Sequence, residues 1–144
     1  MENTKITCTI GTTDPSAELG LEVWLDDFQI FNSNHITGTE DIVHEFKDDE
    51  TDHELRFVMK NKNDLHTKID ENSNIVSDAR LTINNVAFDD IELKQVFIDE
   101  AVYTHDFNGN GEDTTTQFFG EMGCNGTVSL AFSSPIYIWL LEHM

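Results

Sequence analysis

The run from Asp106 to Glu112, DFNGNGE, is the sharpest chemical motif in the sequence. Its oxygen-bearing side chains stand at positions 1, 3 and 5 of a calcium-binding loop, and Gly111 stands at position 6, where glycine permits a sharp turn. The twelfth position is Gln117 rather than the bidentate Glu of an EF-hand, and the flanking residues have strand character. Two interpretations stay open: a bare calcium loop, or a glycine-rich hairpin turn of the kind that Asn-Gly favours. The first candidate metal site consists of Asp106, Asn108, Asn110 and Glu112.

A second group of oxygen ligands lies along a long polar segment, residues 61–77, and at the residue that follows it. Carboxylates and amides at the ends of neighbouring strands can build a calcium site between loops. Acidic residues occur throughout the chain, so an ordinary polar loop is the alternative. The second candidate metal site consists of Asn61, Asn63, Asp64 and Asp78. Calcium is therefore the cofactor that the sequence suggests.

The sequence contains no motif that predicts catalysis. Its six histidines show neither His-x-x-His nor paired-cysteine spacing, which argues against a zinc site. It has no nucleophile elbow, and no pair of carboxylates stands out among 28 acidic residues as a glycosidase pair would. We therefore expect a protein that is not an enzyme.

Aromatic residues with a polar group are candidates for a sugar platform or for interface anchors, because such side chains prefer half-wet positions. These residues are Trp24, Tyr137 and Trp139. Trp24 lies opposite the apolar face of its predicted strand and should point away from that core, although a second core layer is the alternative. The run 136–141, IYIWLL, is apolar on both parities. It predicts a strand that is buried within the fold or completed by a partner chain, as in a homo-oligomer.

The elements that must position these residues are strands. The clearest are in the stretch from Asp78 to Ile98, where alternation on odd numbers through Ile83 gives way to apolar residues on even numbers. This parity shift predicts a β-bulge at Asn84-Asn85. Asp89-Asp90 then predicts a turn, and the return strand is predicted over residues 93–98.

About ten short strands separated by turn signals predict an all-β chain: a single-domain antiparallel β-sandwich of jelly-roll type over residues 1–144. The net charge is −20, from 28 acidic and 8 basic residues, so such a surface repels nucleic acid. The longest apolar run is too short to span a membrane, and the polar start of the chain predicts no signal peptide. The two cysteines are expected to be reduced.

Three segments, LGLEVWLDD, DHELRFVMKNK and SDARLTINNVAFDDI, resemble the strand series of calcium-dependent xylan-binding jelly-roll modules over about half of the chain. This resemblance implies that Asn61, Asn63, Asp64 and Asp78 are metal ligands. It supplies no matching positions for the aromatic residues that stack on sugars.

Across the whole chain, the runs LGLEVWLDD, HELRFVMKNK, IELKQVFID, FFGEMGCNGTVSL and SPIYIWLLEHM resemble a small acidic virion structural protein of contractile-tailed marine cyanobacterial viruses. This second resemblance implies a non-enzymatic capsid decoration or tail or baseplate accessory that docks on other virion subunits and is assembled in the host cytoplasm. The alternative is a calcium-assisted carbohydrate-binding module that attaches to a host glycan. A small hydrolase is the least favoured class.

Overall fold

The computed structural model describes residues 3–47, 49–62, 67–69, 71–72, 75–106 and 111–143. Asn63, Asp64, Asn108 and Asn110, from the two candidate metal sites, lie outside the described residues. The strands are β1 (Asn3–Thr12), β2 (Gly20–Leu25), β3 (Phe28–Ser33), β4 (Glu40–Lys47), β5 (Asp52–Lys60), β6 (Thr67–Ile69), β7 (Ile75–Asp78), β8 (Leu81–Phe88), β9 (Ile91–Glu92), β10 (Val102–His105), β11 (Thr114–Gln117), β12 (Glu121–Met122) and β13 (Gly126–Ser133). The helices are α1 (Gln95–Glu100) and α2 (Ile136–His143).

The strands form two larger antiparallel sheets. The five-stranded sheet has the order β12-β8-β1-β4, with β9 paired to β8, and the six-stranded sheet has the order β11-β10-β13-β5-β2-β3. A separate hairpin, β6-β7, lies in the polar segment 61–77 that the sequence presents as a loop, with β7 ending one residue later at Asp78. The predicted β-sandwich is confirmed, while its jelly-roll connectivity and its single-domain organisation stay predictions.

One core lies between the two sheets. Alternate residues of β1, β5, β8 and β13 are buried, as strands with one face on a core require. Phe88 of the five-stranded sheet and Phe132 of the six-stranded sheet meet with ring centroids 4.8 Å apart. Both cysteines are free, and Cys8 is buried in this core.

The predicted bulge is confirmed in β8. Thr7 pairs with Ala87 and Thr9 pairs with Asn84, so two residues of β8, Asn85 and Val86, oppose Cys8 alone. Asn85 has a φ of 57°, a left-handed conformation that Asn tolerates better than most residues. The extra residue moves the apolar side chains that follow it back to the core face.

The predicted return strand over residues 93–98 is wrong, because only Ile91 and Glu92 are extended before α1 begins at Gln95. Leu93, Val96 and Phe97 are the buried residues, and their i, i+3, i+4 spacing is that of one face of a helix. Asp89 and Asp90 do form the predicted turn, both with positive φ.

The predicted C-terminal strand is also wrong. Residues 136–143 form α2, directly after the Ser134–Pro135 peptide, which is cis. The helix buries Ile136, Trp139 and Leu140, again at i, i+3, i+4. A run that is apolar on both parities satisfies a helix as well as a strand, and Pro135 prevents β13 from continuing. Neither described helix is long and apolar enough to cross a membrane.

Candidate functional site

The bulge of β8 stands beside a groove of about 560 Å³, which we call the bulge groove. Three segments line it: residues 83–86 of β8, residues between 92 and 98 on β9 and α1, and the pair Phe119-Gly120. The Leu93 amide donates to the Val86 carbonyl at 2.9 Å, and the Ile83 amide donates to the Gly120 carbonyl at 3.0 Å. These bonds fix the β9–α1 segment and the Phe119-Gly120 segment to β8.

Unusual backbone conformations are concentrated around the bulge groove. Asn85 and Lys94 have φ values of 57° and 49°, and Gly120 has a φ of 102°. Residues in sparsely populated regions persist only where the surrounding structure holds them, and they cluster at binding sites. Bulges are likewise common next to sites, because they redirect a side chain out of the sheet.

The bulge groove presents hydrogen-bonding groups beside an exposed aromatic ring. Asn84, Asn85 and Gln95 are among the residues that line it, and the side-chain amide of each carries both donors and an acceptor. Phe119 is 73% exposed, although the preceding residue, Phe118, is fully buried. The sequence predicts the bulge but not the exposure of Phe119, because alternation of apolar and polar residues does not show which of the two adjacent Phe residues faces solvent.

The second candidate metal site contains a lysine ammonium next to its carboxylate. Lys62 is 4% exposed, and its Nζ lies 2.6 Å from Asp78 Oδ1 and also donates to the Ala79 carbonyl oxygen. Asn125 accepts from the Lys62 amide and donates to the Lys62 carbonyl, each at 2.8 Å. We call Lys62, Asp78, Ala79 and Asn125 the Lys62 cluster. Asn61 points elsewhere, since its Nδ2 donates to the Asn34 carbonyl at 3.3 Å.

One carboxylate of the first candidate metal site, Asp106, acts electrostatically on Cys124, the residue before Asn125. Burial raises the pKa of Cys124, while the charge of Lys62 lowers it and the charges of Asp78 and Asp106 raise it. Burial also raises the pKa of Tyr103 to about 12. The Tyr103 hydroxyl accepts from the Cys124 amide at 2.9 Å and donates to the Cys124 carbonyl. Asp78 and Asp106, which the sequence assigned to separate sites, thus both act electrostatically on Cys124.

The Lys62 ammonium disfavours calcium at Asp78. A calcium ion on Asp78 Oδ1 would lie at most about 5 Å from the Lys62 nitrogen, because calcium–oxygen distances are about 2.4 Å. At an effective dielectric constant of about 20, the repulsion between the two cations is about 7 kcal/mol, which removes about half of the roughly 14 kcal/mol by which the carboxylate attracts calcium, before the cost of dehydrating the ion. In the described part of the chain, no three His, Cys, Asp or Glu residues are grouped as metal ligands.

In the first candidate metal site, Glu112 is exposed and Asp106 is partly buried, while that site's two amides, Asn108 and Asn110, lie outside the described residues.

The three candidate platform residues have different environments. Trp24 is partly exposed on the outer face of the six-stranded sheet, as predicted, with the Arg56 guanidinium carbon 5.8 Å from its ring centroid. Tyr137 is 52% exposed, and its hydroxyl donates to Asp89 at 3.2 Å. Trp139 is only 5% exposed and contacts the Phe132 ring, so its face is not open to a ligand.

Comparison with known proteins gives a fold relationship. No protein-family model matches the chain, and no curated protein matches it. It is similar to a solved structure of vCBM60, whose description states that circular permutation provides an evolutionary link between two families of calcium-dependent carbohydrate-binding modules. The TM-score is 0.56 and the identity 12%, over 88% of this chain and 89% of that chain. It is also similar to vCBM60 in complex with galactobiose, with a TM-score of 0.50 and 11% identity over 88% and 96% of the two chains.

At these identities the comparisons show a common β-sandwich fold. They agree with the resemblance to calcium-dependent carbohydrate-binding modules that the sequence suggests. The resemblance to a virion structural protein, with its docking partners and location, stays a prediction.

Proposed function

We propose that this protein is a non-catalytic carbohydrate-binding domain that holds a short glycan in the bulge groove. The observation that carries the proposal is the exposed Phe119 ring beside three amide side chains in a groove of about 560 Å³. That volume is within the usual range for small-ligand sites, about 300–1,000 Å³. The fold shared with a module in complex with galactobiose supports the same class of ligand.

The chemistry of the bulge groove suits a sugar. The apolar face of a pyranose ring can lie on Phe119, while Asn84, Asn85 and Gln95 bond to hydroxyl groups, which both donate and accept. The Gln95 amide is oriented by its donation to Asp99 at 2.9 Å, and the Asn85 amide by a longer donation to Thr9 at 3.4 Å. These residues are held by strained or helical backbone before a ligand arrives, which lowers the cost of binding.

The carboxylates favour binding over hydrolysis. Glu92 is the one carboxylate among the described residues that line the bulge groove. Glycoside hydrolysis generally requires a pair of carboxyl groups on either side of the scissile bond. The groove therefore has groups that hold a sugar but lacks the pair that would cleave it in that way.

A virion location and attachment to a host surface glycan remain compatible with this proposal. Binding to a glycan would give a virion component a role in adhesion, as the sequence suggests.

A glycan array followed by calorimetry tests the proposal. The array includes galactobiose and xylo-oligosaccharides, and any ligand found is then titrated into the wild type, Phe119→Ala and Phe28→Ala. Phe28 is a matched control because it is 63% exposed on β3, outside the groove. We expect Phe119→Ala to weaken binding about tenfold or more, as loss of a stacked aromatic does, and Phe28→Ala to leave it unchanged. A blank array with folded protein, or equal losses in both variants, would contradict the proposal.

A further inference from the structure

We infer that Lys62 is the resident cation of the Lys62 cluster and takes the place that calcium would occupy on Asp78. Lysine is almost never fully buried unless its charge is paired. The Lys62 side chain is 0% exposed, and its ammonium group contacts the Asp78 carboxylate at 2.6 Å. The second contact of the ammonium, to the Ala79 carbonyl oxygen, is also of a kind that calcium makes.

The backbone of the cluster fixes the ammonium in this position. The Asn125 side chain forms hydrogen bonds with both the backbone amide and the backbone carbonyl of Lys62. These two bonds fix the Lys62 backbone two residues after the end of β5. Asn125 comes just before β13, the neighbour of β5 in the six-stranded sheet. The ion pair therefore connects the end of the six-stranded sheet to the segment that leads into β8.

Asp78 also faces a second cation. Arg80 Nε lies 3.5 Å from Asp78 Oδ2, and Arg80 Nη1 lies 2.9 Å from Glu121 Oε2. Both oxygens of the Asp78 carboxylate are thus near positive side chains, one buried and one exposed. A carboxylate in this environment has little remaining attraction for a divalent ion, although the chain as a whole carries a net charge of −20.

This inference deepens the proposed function and rests on it in one respect: glycan binding should not require calcium at Asp78. The inference about the cation itself is independent of any ligand, because it concerns stability and metal response. A failure of glycan binding would therefore leave it standing, and its own failure would leave the bulge groove unaffected.

The test compares melting temperatures in millimolar calcium chloride and in EGTA for the wild type, Lys62→Met, Asp78→Asn and Lys60→Met. A calcium concentration of about 10 mM occupies most of even the weak extracellular-type sites, whose dissociation constants are about 0.1–1 mM. Lys60 is the matched control, since its side chain is 26% exposed and it pairs with Glu22 at 3.6 Å on the sheet surface. Any glycan that binds is also titrated into the wild type in EGTA.

We expect Lys62→Met to melt well below the wild type in both buffers, because it leaves the Asp78 carboxylate without its buried partner, while Lys60→Met changes little. We expect calcium to leave the wild-type melting temperature unchanged, or to raise it equally in the wild type and in Asp78→Asn. Either result means that calcium does not act at Asp78. The inference is overturned if calcium stabilises the wild type but not Asp78→Asn, or if Lys62→Met melts like the wild type. The comparison between the wild type and Asp78→Asn decides the question even if Lys62→Met does not fold.

Discussion

His53 joins two turns at one end of the sandwich, and its removal gives a pH-dependent loss of stability. Its Nδ1 lies 2.7 Å from Asp26 in the β2–β3 turn, and its Nε2 lies 2.9 Å from Asp49 before β5. The His53 side chain is 8% exposed, and its ring stacks on Phe132 at 5.5 Å. Burial lowers the pKa of His53, but hydrogen bonds to Asp26 and Asp49 outweigh this effect and raise the pKa above its usual value.

The sign of the pH dependence follows from that direction. A histidine with a raised pKa in the folded state contributes its charge-dependent stability fully below its unfolded pKa, which is about 6.5. The contribution is lost as the pH rises through the folded-state pKa. For His53→Gln, loss of the charge-assisted bond to Asp26 costs about 1 kcal/mol, since partial exposure of Asp26 reduces its value. Loss of buried ring packing costs about 1 kcal/mol more.

Urea unfolding of the wild type and His53→Gln at a series of pH values measures this difference. We expect the difference in free energy of unfolding to be about 2 kcal/mol near pH 6 and to fall toward about 1 kcal/mol as the pH rises through the folded-state pKa of His53, above which ring packing and one hydrogen bond of the neutral imidazole remain. His44→Gln is the control, because burial lowers the pKa of His44 by more than the charge of Glu45 raises it, and the His44 ring stacks on Phe28. Its pH dependence should have the opposite sign. If the difference in free energy of unfolding between the wild type and His53→Gln is constant with pH, or grows as the pH rises, the protonated His53 does not stabilise the fold through Asp26 and Asp49.

Two further predictions concern the buried end of α2 and the thiols. Trp139→Ala should lower the free energy of unfolding by about 3–5 kcal/mol in urea titration, whereas Leu141→Ser, at a side chain that is 77% exposed, should change it by less than about 0.5 kcal/mol. Equal effects of the two substitutions would contradict the orientation of the helix. Cys8 should not react with a thiol reagent at pH 8 until the protein is unfolded, because burial raises its pKa to about 12 and the charge of Asp41 acts in the same direction. Two fast-reacting thiols in the folded protein would show that Cys8 is not in the core.

The strands and the bulge could be predicted because their signal is local. The alternation of His53, Leu55, Phe57 and Met59 in β5 corresponds to the buried or inward positions of that strand. The parity shift at Asn84-Asn85 locates the bulge for the same reason, since one extra residue exchanges the two faces of a strand.

The helices could not be predicted from the same signal. Residues 136–140 are apolar or aromatic at every position, so they satisfy a period of 2 and a period of 3.6 equally, whereas Leu93, Val96 and Phe97 have a helical spacing over too few residues to decide against a strand. The backbone before each segment distinguishes the helix from the strand. Lys94 has a positive φ directly before α1, and Pro135 follows the end of β13 directly before α2.

The Lys62 cluster was also beyond sequence analysis, for a different reason. Lys62 lies in a polar segment, where a lysine is expected to be solvated, and its partner Asp78 is 16 positions away. The packing of the two sheets brings them together, and nothing in either sequence position indicates burial. Residue type alone therefore suggests Asp78 as a calcium ligand, whereas in the structure its carboxylate is paired with the Lys62 ammonium.

Glycan binding in the bulge groove is best tested by an NMR titration of backbone amide shifts. We expect galactobiose or an array-derived glycan to shift the amides of residues 83–86, 92–98 and 119–120, with the same pattern in calcium and in EGTA. Shifts that instead cluster around Trp24 on the six-stranded sheet, or that appear only in calcium and centre on Asp78 and Asp106, would contradict it.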